Sequence, residues 1–132
     1  MNKVTPEIAK AEVEKWLDFK KVSHTKRDSY ADNIKALEEA IVEGYLSLDD
    51  NHELIQQLKF PIGSEVETSE LKYKPRLKES TVSLHLTGVK IGDFDGRLYA
   101  YVAALTGKPK DLIKSLDTED YSIGKNIAFF FI

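Results

Sequence analysis

The sequence predicts an α+β fold, and three observations support this class. Apolar residues in the first part recur at helical spacing, whereas those in the middle alternate with polar residues at strand spacing. The last part, Asp95 to Ile132, has three segments with helix start and stop signals. Apolar residues make up 42% and charged residues 31% of the chain, which is typical of a folded domain. We expect an N-terminal helical region over residues 1–59 and an α+β region over residues 60–132, together forming one compact domain.

The N-terminal region is predicted to contain three helices. Thr5 and Pro6 are favourable residues for a helix start, and the first amphipathic helix should run to about Val22. A second helix is predicted from about Lys26 to Tyr45, because apolar residues recur there every three or four positions. A third, short helix is predicted after a turn, with one side buried. Its cap would be Asp49 or Asp50, and its buried side Leu54, Ile55 and Leu58.

The middle of the chain is predicted to form a small antiparallel sheet of two or three strands. The segment Phe60 to Gly63 contains Pro and Gly, which mark the end of the helical pattern. Apolar residues then alternate with polar ones, first around Leu71 and Tyr73 and again from Thr81 to Leu86. Four basic residues would share one strand face: Lys72, Lys74, Arg76 and Lys78.

The C-terminal part is predicted to form three short helices. The first covers about Arg97 to Leu105, after a cap at Asp93 or Asp95, and Gly107 suits its end. Pro109 suits the first turn of the second helix, and Asp117 is a suitable cap for the third.

Composition excludes several functional classes. The net charge of −3 does not favour a nucleic-acid-binding surface, because phosphate contacts require a basic surplus. The sequence has no cysteine, so disulfides, thiolate metal sites and cysteine nucleophiles are excluded. The N-terminus lacks the apolar core of a signal peptide, and no apolar run approaches the roughly 20 residues that span a bilayer. We therefore expect a soluble intracellular protein without contacts to membranes.

The candidate metal ligands are better explained as turns and caps. The string from Gly92 to Gly96 contains Asp93 and Asp95, but the glutamate that completes a calcium loop is missing, since Val102 stands there. A second group of acidic and histidine side chains lies in one short run, unlike the spaced ligands of zinc sites. Its members are Asp49, Asp50, His52 and Glu53. We predict no catalytic residue, metal or cofactor.

The four apolar residues at the C-terminal end are the most unusual feature. They cannot all lie on one helix face, so they are buried from several directions or they contact another chain. Self-association of copies of this chain is one form of the second possibility. The candidate partner-binding residues are Tyr121, Ile127, Phe129, Phe130, Phe131 and Ile132.

Several short segments occur in a set order after residue 57. They are LKFPI (Leu58–Ile62), LKYKPR (Leu71–Arg76), ALTGKP (Ala104–Pro109), IKSLDTED (Ile113–Asp120) and the terminal aromatics Phe129–Phe131. This order resembles the small tail assembly chaperones of bacteriophages, the group that includes the Mu-like tail proteins. The resemblance covers a little over half of the chain.

The resemblance implies a non-enzymatic role in phage tail morphogenesis. Members of that family bind the tape-measure protein, and often tail-tube subunits, in the host cytoplasm and keep apolar helical surfaces from aggregating. One alternative is a structural subunit of the virion, in the tail or connector, that assembles through the same apolar end. The other is a small metal-dependent enzyme using Asp93 and Asp95 with His85 or His52.

Overall fold

The structure, a computed structural model, describes residues 3–132 and confirms the α+β class. The described residues form seven helices and one three-stranded antiparallel sheet of order β1-β2-β3. The elements are α1 (Pro6–Lys20), α2 (His24–Ser29), α3 (Ala31–Val42), β1 (Leu46–Leu48), β2 (Leu54–Ile62), β3 (Thr68–Tyr73), α4 (Glu79–His85), α5 (Phe94–Thr106), α6 (Lys110–Lys114) and α7 (Thr118–Ala128).

The first helix begins at the predicted cap Thr5, but the second predicted helix is divided and begins at His24. The Thr5 hydroxyl accepts a hydrogen bond from the Ile8 amide at 3.3 Å, and the first helix ends where Lys21 adopts a left-handed conformation. The Ser23 hydroxyl caps α2 in the same way. The chain then leaves helical geometry at Tyr30 (φ −110°), and α3 starts at the next residue.

The predicted third helix is wrong, because Leu54 to Leu58 belong to the central strand β2. Leu54, Gln56 and Leu58 are buried while the residues between them are more exposed, which is the two-residue period of a strand. Asp49 does not cap a helix; its Oδ1 accepts the amides of Asn51 and Glu53 in the turn that joins β1 to β2. Pairing on both edges of β2 outweighs the weak helical pattern of this short segment.

The strand predicted from Thr81 to Leu86 is also wrong, because this segment lies in helix α4. Val82 is buried there, whereas Leu84 is 76% exposed, so the two side chains do not share an inward face. Strand β3 ends at Tyr73, so three of the four basic residues predicted to share a strand face follow it in a loop. In that loop the Lys74 amide donates to the Leu105 carbonyl at 3.0 Å.

The three C-terminal helices occur in the predicted order, with the predicted residues at the start of the first and third, but Pro109 precedes α6 as its N-cap and does not lie in its first turn. Asp93 Oδ1 accepts the Gly96 amide at 2.9 Å at the start of α5, and Gly107 (φ 69°) ends that helix. Asp117 Oδ1 accepts the Glu119 amide at 2.9 Å at the start of α7. Only glycine adopts the conformation of residue 107 without strain.

A single apolar core connects the two predicted regions. Trp16 of α1, Leu37 of α3, Leu71 of β3, Leu98 of α5 and Ile127 of α7 belong to the same cluster of buried side chains. Strand β2 itself crosses the boundary predicted at residue 60. Within residues 3–132, no helix combines the length and the apolar character that crossing a membrane requires.

Candidate partner-binding surface

Phe130 anchors the C-terminal end in the core. Its side chain is 3% exposed and meets two aromatic rings edge-on: Trp16 of α1, with centroids 5.6 Å apart, and Tyr30, with centroids 5.5 Å apart. Such T-shaped pairs add favourable quadrupole contacts to the burial of apolar area. A partner therefore cannot reach the Phe130 side chain in this structure, nor that of Ile127, which is completely buried.

The residues on either side of Phe130 are only half-buried. Phe129 packs against Tyr30, with ring centroids 5.9 Å apart, and against Phe94 of α5, with centroids 5.8 Å apart. Phe94 is itself 47% exposed. These contacts extend the aromatic cluster from the core to the surface of the protein.

A shallow groove of about 300 Å³ continues this surface. It is lined by Gly92, Phe94, Arg97 and Ile132. The half-exposed apolar residues of the C-terminal end, with the two aromatic neighbours of Phe129, are here called the C-terminal aromatic surface. Its members are Tyr30, Phe94, Phe129, Phe131 and Ile132.

Tyr121 lies in a different environment from the terminal aromatic residues. Its ring stacks on Tyr99, with centroids 4.8 Å apart and planes at 23°. Burial raises the pKa of the Tyr121 hydroxyl, and the nearby Tyr99 and Asp95 raise it further. Of the six candidate residues, the half-exposed ones on the C-terminal aromatic surface are Phe129, Phe131 and Ile132. Phe129 packs against Tyr30 and Phe94, whereas Phe131 packs against Trp16 with ring centroids 6.2 Å apart.

A lysine side chain covers one edge of this surface. The Lys20 ammonium lies 3.3 Å from the Phe131 ring centroid and 5.9 Å from that of Trp16, so it makes cation–π contacts. The pKa of Lys20 is lowered to about 8, first by burial and then by the positive charges of Lys26 and Arg76. Both effects disfavour the protonated amine.

A buried polar network connects the sheet to the start of α7. The Tyr73 hydroxyl donates to Gln56 Oε1 at 2.6 Å, and Gln56 Nε2 donates to the Asp120 carbonyl at 2.9 Å. The Asp120 carboxylate accepts the backbone amides of Lys59 at 2.8 Å and Phe60 at 3.0 Å. Burial raises the pKa of the Tyr73 hydroxyl, and the Asp120 charge raises it further, so Tyr73 remains a donor.

Asp120 supplies the partners that the irregular part of β2 lacks. The pairing of β2 with β3 is interrupted between Gln57 and Ile62, and the two amides bound by Asp120 lie in that interval. Buried amides need such partners, because an unpaired buried donor costs stability. Pro61 is tolerated in the same interval, since it has no amide to pair.

Gly124 makes the close approach of α7 to the network possible. A Cβ atom at this position would lie 2.7 Å from the Tyr73 hydroxyl oxygen and 3.4 Å from Val102 Cγ1. Any larger residue would therefore push α7 away from the sheet or displace Tyr73.

The sequence indicated none of this network. The predicted third helix includes Gln56, and its partner Asp120 lies 64 residues away along the chain. The signal that could have identified Gln56 is its position between Leu54 and Leu58, at the two-residue spacing of a buried strand face.

Several of the candidate metal ligands cap a helix, close a turn or pack against a neighbouring side chain. Asp93 caps α5, Asp49 closes the turn before β2, and the His52 ring stacks on Phe19 at a centroid distance of 4.0 Å. His85 Nδ1 lies 3.0 Å from the Thr81 carbonyl within α4. Over residues 3–132, no three His, Asp or Glu side chains come together in a group that could hold a metal ion.

The C-terminal aromatic surface thus presents flat aromatic faces, a shallow groove and a lysine at its edge. Comparisons with protein-family models, with curated proteins and with solved structures found no match to this chain.

Proposed function

We propose that this chain is a non-enzymatic, phage tail assembly chaperone-like protein. It binds tape-measure or tail-tube proteins in the host cytoplasm and keeps their apolar helical segments from aggregating before the tail tube forms. The proposal starts from the resemblance of the segments between Leu58 and Phe131 to that family.

The observation that best supports the proposal is the contact made by Asp120. This residue belongs to the segment IKSLDTED, and the amides that its carboxylate binds belong to Lys59 and Phe60 of the segment LKFPI. Two segments of the resemblance, separated by about half the chain, are thus one structural unit. In this chain the two segments bind each other directly, which gives their joint occurrence a physical reason.

The C-terminal aromatic surface suits a helical partner. Amphipathic helices bind by laying their apolar face on an apolar groove, and aromatic residues provide large contact areas at low entropic cost. Phe94 and Ile132 line such a groove, and Phe129 connects it to Tyr30. Exposed apolar regions of this kind commonly mark interaction sites.

Co-expression with the neighbouring tape-measure gene product tests the proposal. The wild-type chain should keep the tape-measure protein soluble and co-purify with it, whereas Phe94→Glu should not. The matched control is Leu84→Glu, which places the same charge at another exposed apolar residue, on α4. A tape-measure protein that stays insoluble, or that fails to co-purify with the wild-type chain, would count heavily against the proposal.

Mass spectrometry of purified virions separates a chaperone from a structural subunit. A chaperone should be absent from the mature particle. Detection of this chain in many copies per particle would favour the tail or connector subunit instead.

A further inference from the structure

Lys20 is a half-buried cation without an acidic partner. Its ammonium contacts aromatic rings, and the single ion pair within the described part of the chain joins Arg27 to Asp18 at 2.9 Å. Asp18, the acidic residue two positions before Lys20, is therefore already engaged. A cation in this position loses hydration without gaining a carboxylate in return.

Two further cations lie close to Lys20, and they come from different elements. Lys26 belongs to α2, and Arg76 belongs to the loop after β3. Both are near enough for their charges to act on the Lys20 amine. The fold thus gathers like charges from three separate elements, here called the basic rim: Lys20, Lys26 and Arg76. Their mutual repulsion is unfavourable until an anion neutralises it.

Two residues of the basic rim, Lys20 and Lys26, contact rings of the C-terminal aromatic surface. Lys20 lies over the ring of Phe131, and the Lys26 ammonium lies 5.8 Å from the centroid of the Tyr30 ring. An apolar area with cations along its edge complements a helix that has one apolar face and a flanking row of carboxylates. Such complementarity fixes the orientation of a partner and accelerates encounter.

We infer that the basic rim binds acidic side chains of an amphipathic partner helix whose apolar face lies on the C-terminal aromatic surface. This inference rests on the proposed function, because it names the chemistry of the chaperone's partner. A protein partner is favoured over nucleic acid for two reasons. The net charge of the whole chain is −3, and Lys20 and Lys26 lie over aromatic rings instead of forming a continuous basic track.

A pair of synthetic peptides tests the inference directly. The first is an amphipathic helix with leucines on one face and glutamates beside them, and in the second each glutamate is replaced by glutamine. Isothermal titration calorimetry should show about tenfold or greater preference for the glutamate peptide, and that preference should shrink as salt is added. In NMR titrations of the Lys20 side chain, the glutamate peptide should raise the pKa of its amine.

Two variants test whether the basic rim causes the preference for the glutamate peptide. Lys20→Met and Arg76→Gln should each remove most of the preference for the glutamate peptide, and Arg76 lies in a loop where the change leaves the core intact. The matched control is Lys10→Gln, an exposed lysine about 15 Å from Lys20 along α1. Circular dichroism establishes that each variant is folded.

The possible outcomes separate this inference from the proposed function. Equal binding of both peptides, unchanged preference in the two rim variants, or tighter binding of a single-stranded oligonucleotide would overturn the inference. If the tape-measure protein co-purifies with both rim variants as it does with the wild type, the inference fails and the chaperone proposal stands. If the rim-dependent preference is found but the tape-measure protein does not bind, the inference stands and the chaperone proposal fails.

Discussion

Replacing Asp120 with alanine should destabilise the junction between β2 and α7 more than substitution of any exposed residue does. The carboxylate is fully buried and accepts two backbone amides, from Lys59 at 2.8 Å and from Phe60 at 3.0 Å. Hydrogen bonds to a charged group contribute about 1.5–3 kcal/mol each, which gives an upper range of about 3–6 kcal/mol for two. Removing the buried charge recovers part of its desolvation cost, so we expect a net loss of about 3 kcal/mol.

Urea unfolding measures this loss. Trp16 is the only tryptophan and is buried, so its fluorescence reports the loss of the core. The matched control is Glu119→Gln, which removes the charge of the neighbouring exposed residue. Amide hydrogen exchange at Lys59 and Phe60 should also accelerate in Asp120→Ala. A free energy of unfolding within about 0.5 kcal/mol of the wild type would refute the role assigned to Asp120.

Three further predictions concern the same network and Lys20. Gly124→Ala should lower the free energy of unfolding by about 1–3 kcal/mol, because the added Cβ would meet the Tyr73 hydroxyl. This loss should outweigh the greater helix propensity of alanine. Adding Tyr73→Phe should restore part of the loss. Because burial raises the pKa of Tyr73 and Tyr121 above the ordinary value of 10.0, the stability that these two hydroxyls contribute should be fully present below pH 10 and be lost as pH rises further. Absorbance titration should show both tyrosines ionising only on unfolding. The pKa of Lys20 is lowered from 10.5 to about 8, so between these pH values the unfolded state binds more protons and Lys20 makes the free energy of unfolding rise with pH. Lys20→Met should therefore be more stable than the wild type at pH 7. In urea titrations the difference should narrow towards pH 10.

Local sequence signals were sufficient to predict where α1, α5 and α7 begin and where α5 ends. Thr5, Asp93 and Asp117 cap helices as predicted, and Gly107 ends α5, because capping depends on residues within one turn of the helix terminus. These signals also predicted the order of the three C-terminal helices.

Local signals failed where tertiary pairing decides the structure. The segment from Leu54 to Leu58 fits both a short helix and a buried strand, and the strand forms because β1 and β3 pair with it on both sides. The segment around Val82 alternates like a strand, but it forms a helix that packs against α5. Intrinsic preference is weak in such short segments and contacts override it.

The candidate site could be predicted only in part. The run of apolar residues at the C-terminal end predicted partner contacts for Phe129 and Phe131, and both side chains are half-exposed. The sequence could not show that Phe130 fills the core between Trp16 and Tyr30. The basic rim was also beyond prediction, since its members come from elements whose packing no local pattern specifies.

We propose that the C-terminal aromatic surface binds a helical tape-measure segment. The most direct test is calorimetric titration of a purified tape-measure fragment into the wild type, Phe94→Glu and Leu84→Glu. We expect the wild type and Leu84→Glu to bind with affinities within about twofold of each other, and Phe94→Glu to bind at least about tenfold more weakly. Absence of binding by the wild type, or equal affinity of the Phe94→Glu variant, would contradict the claim.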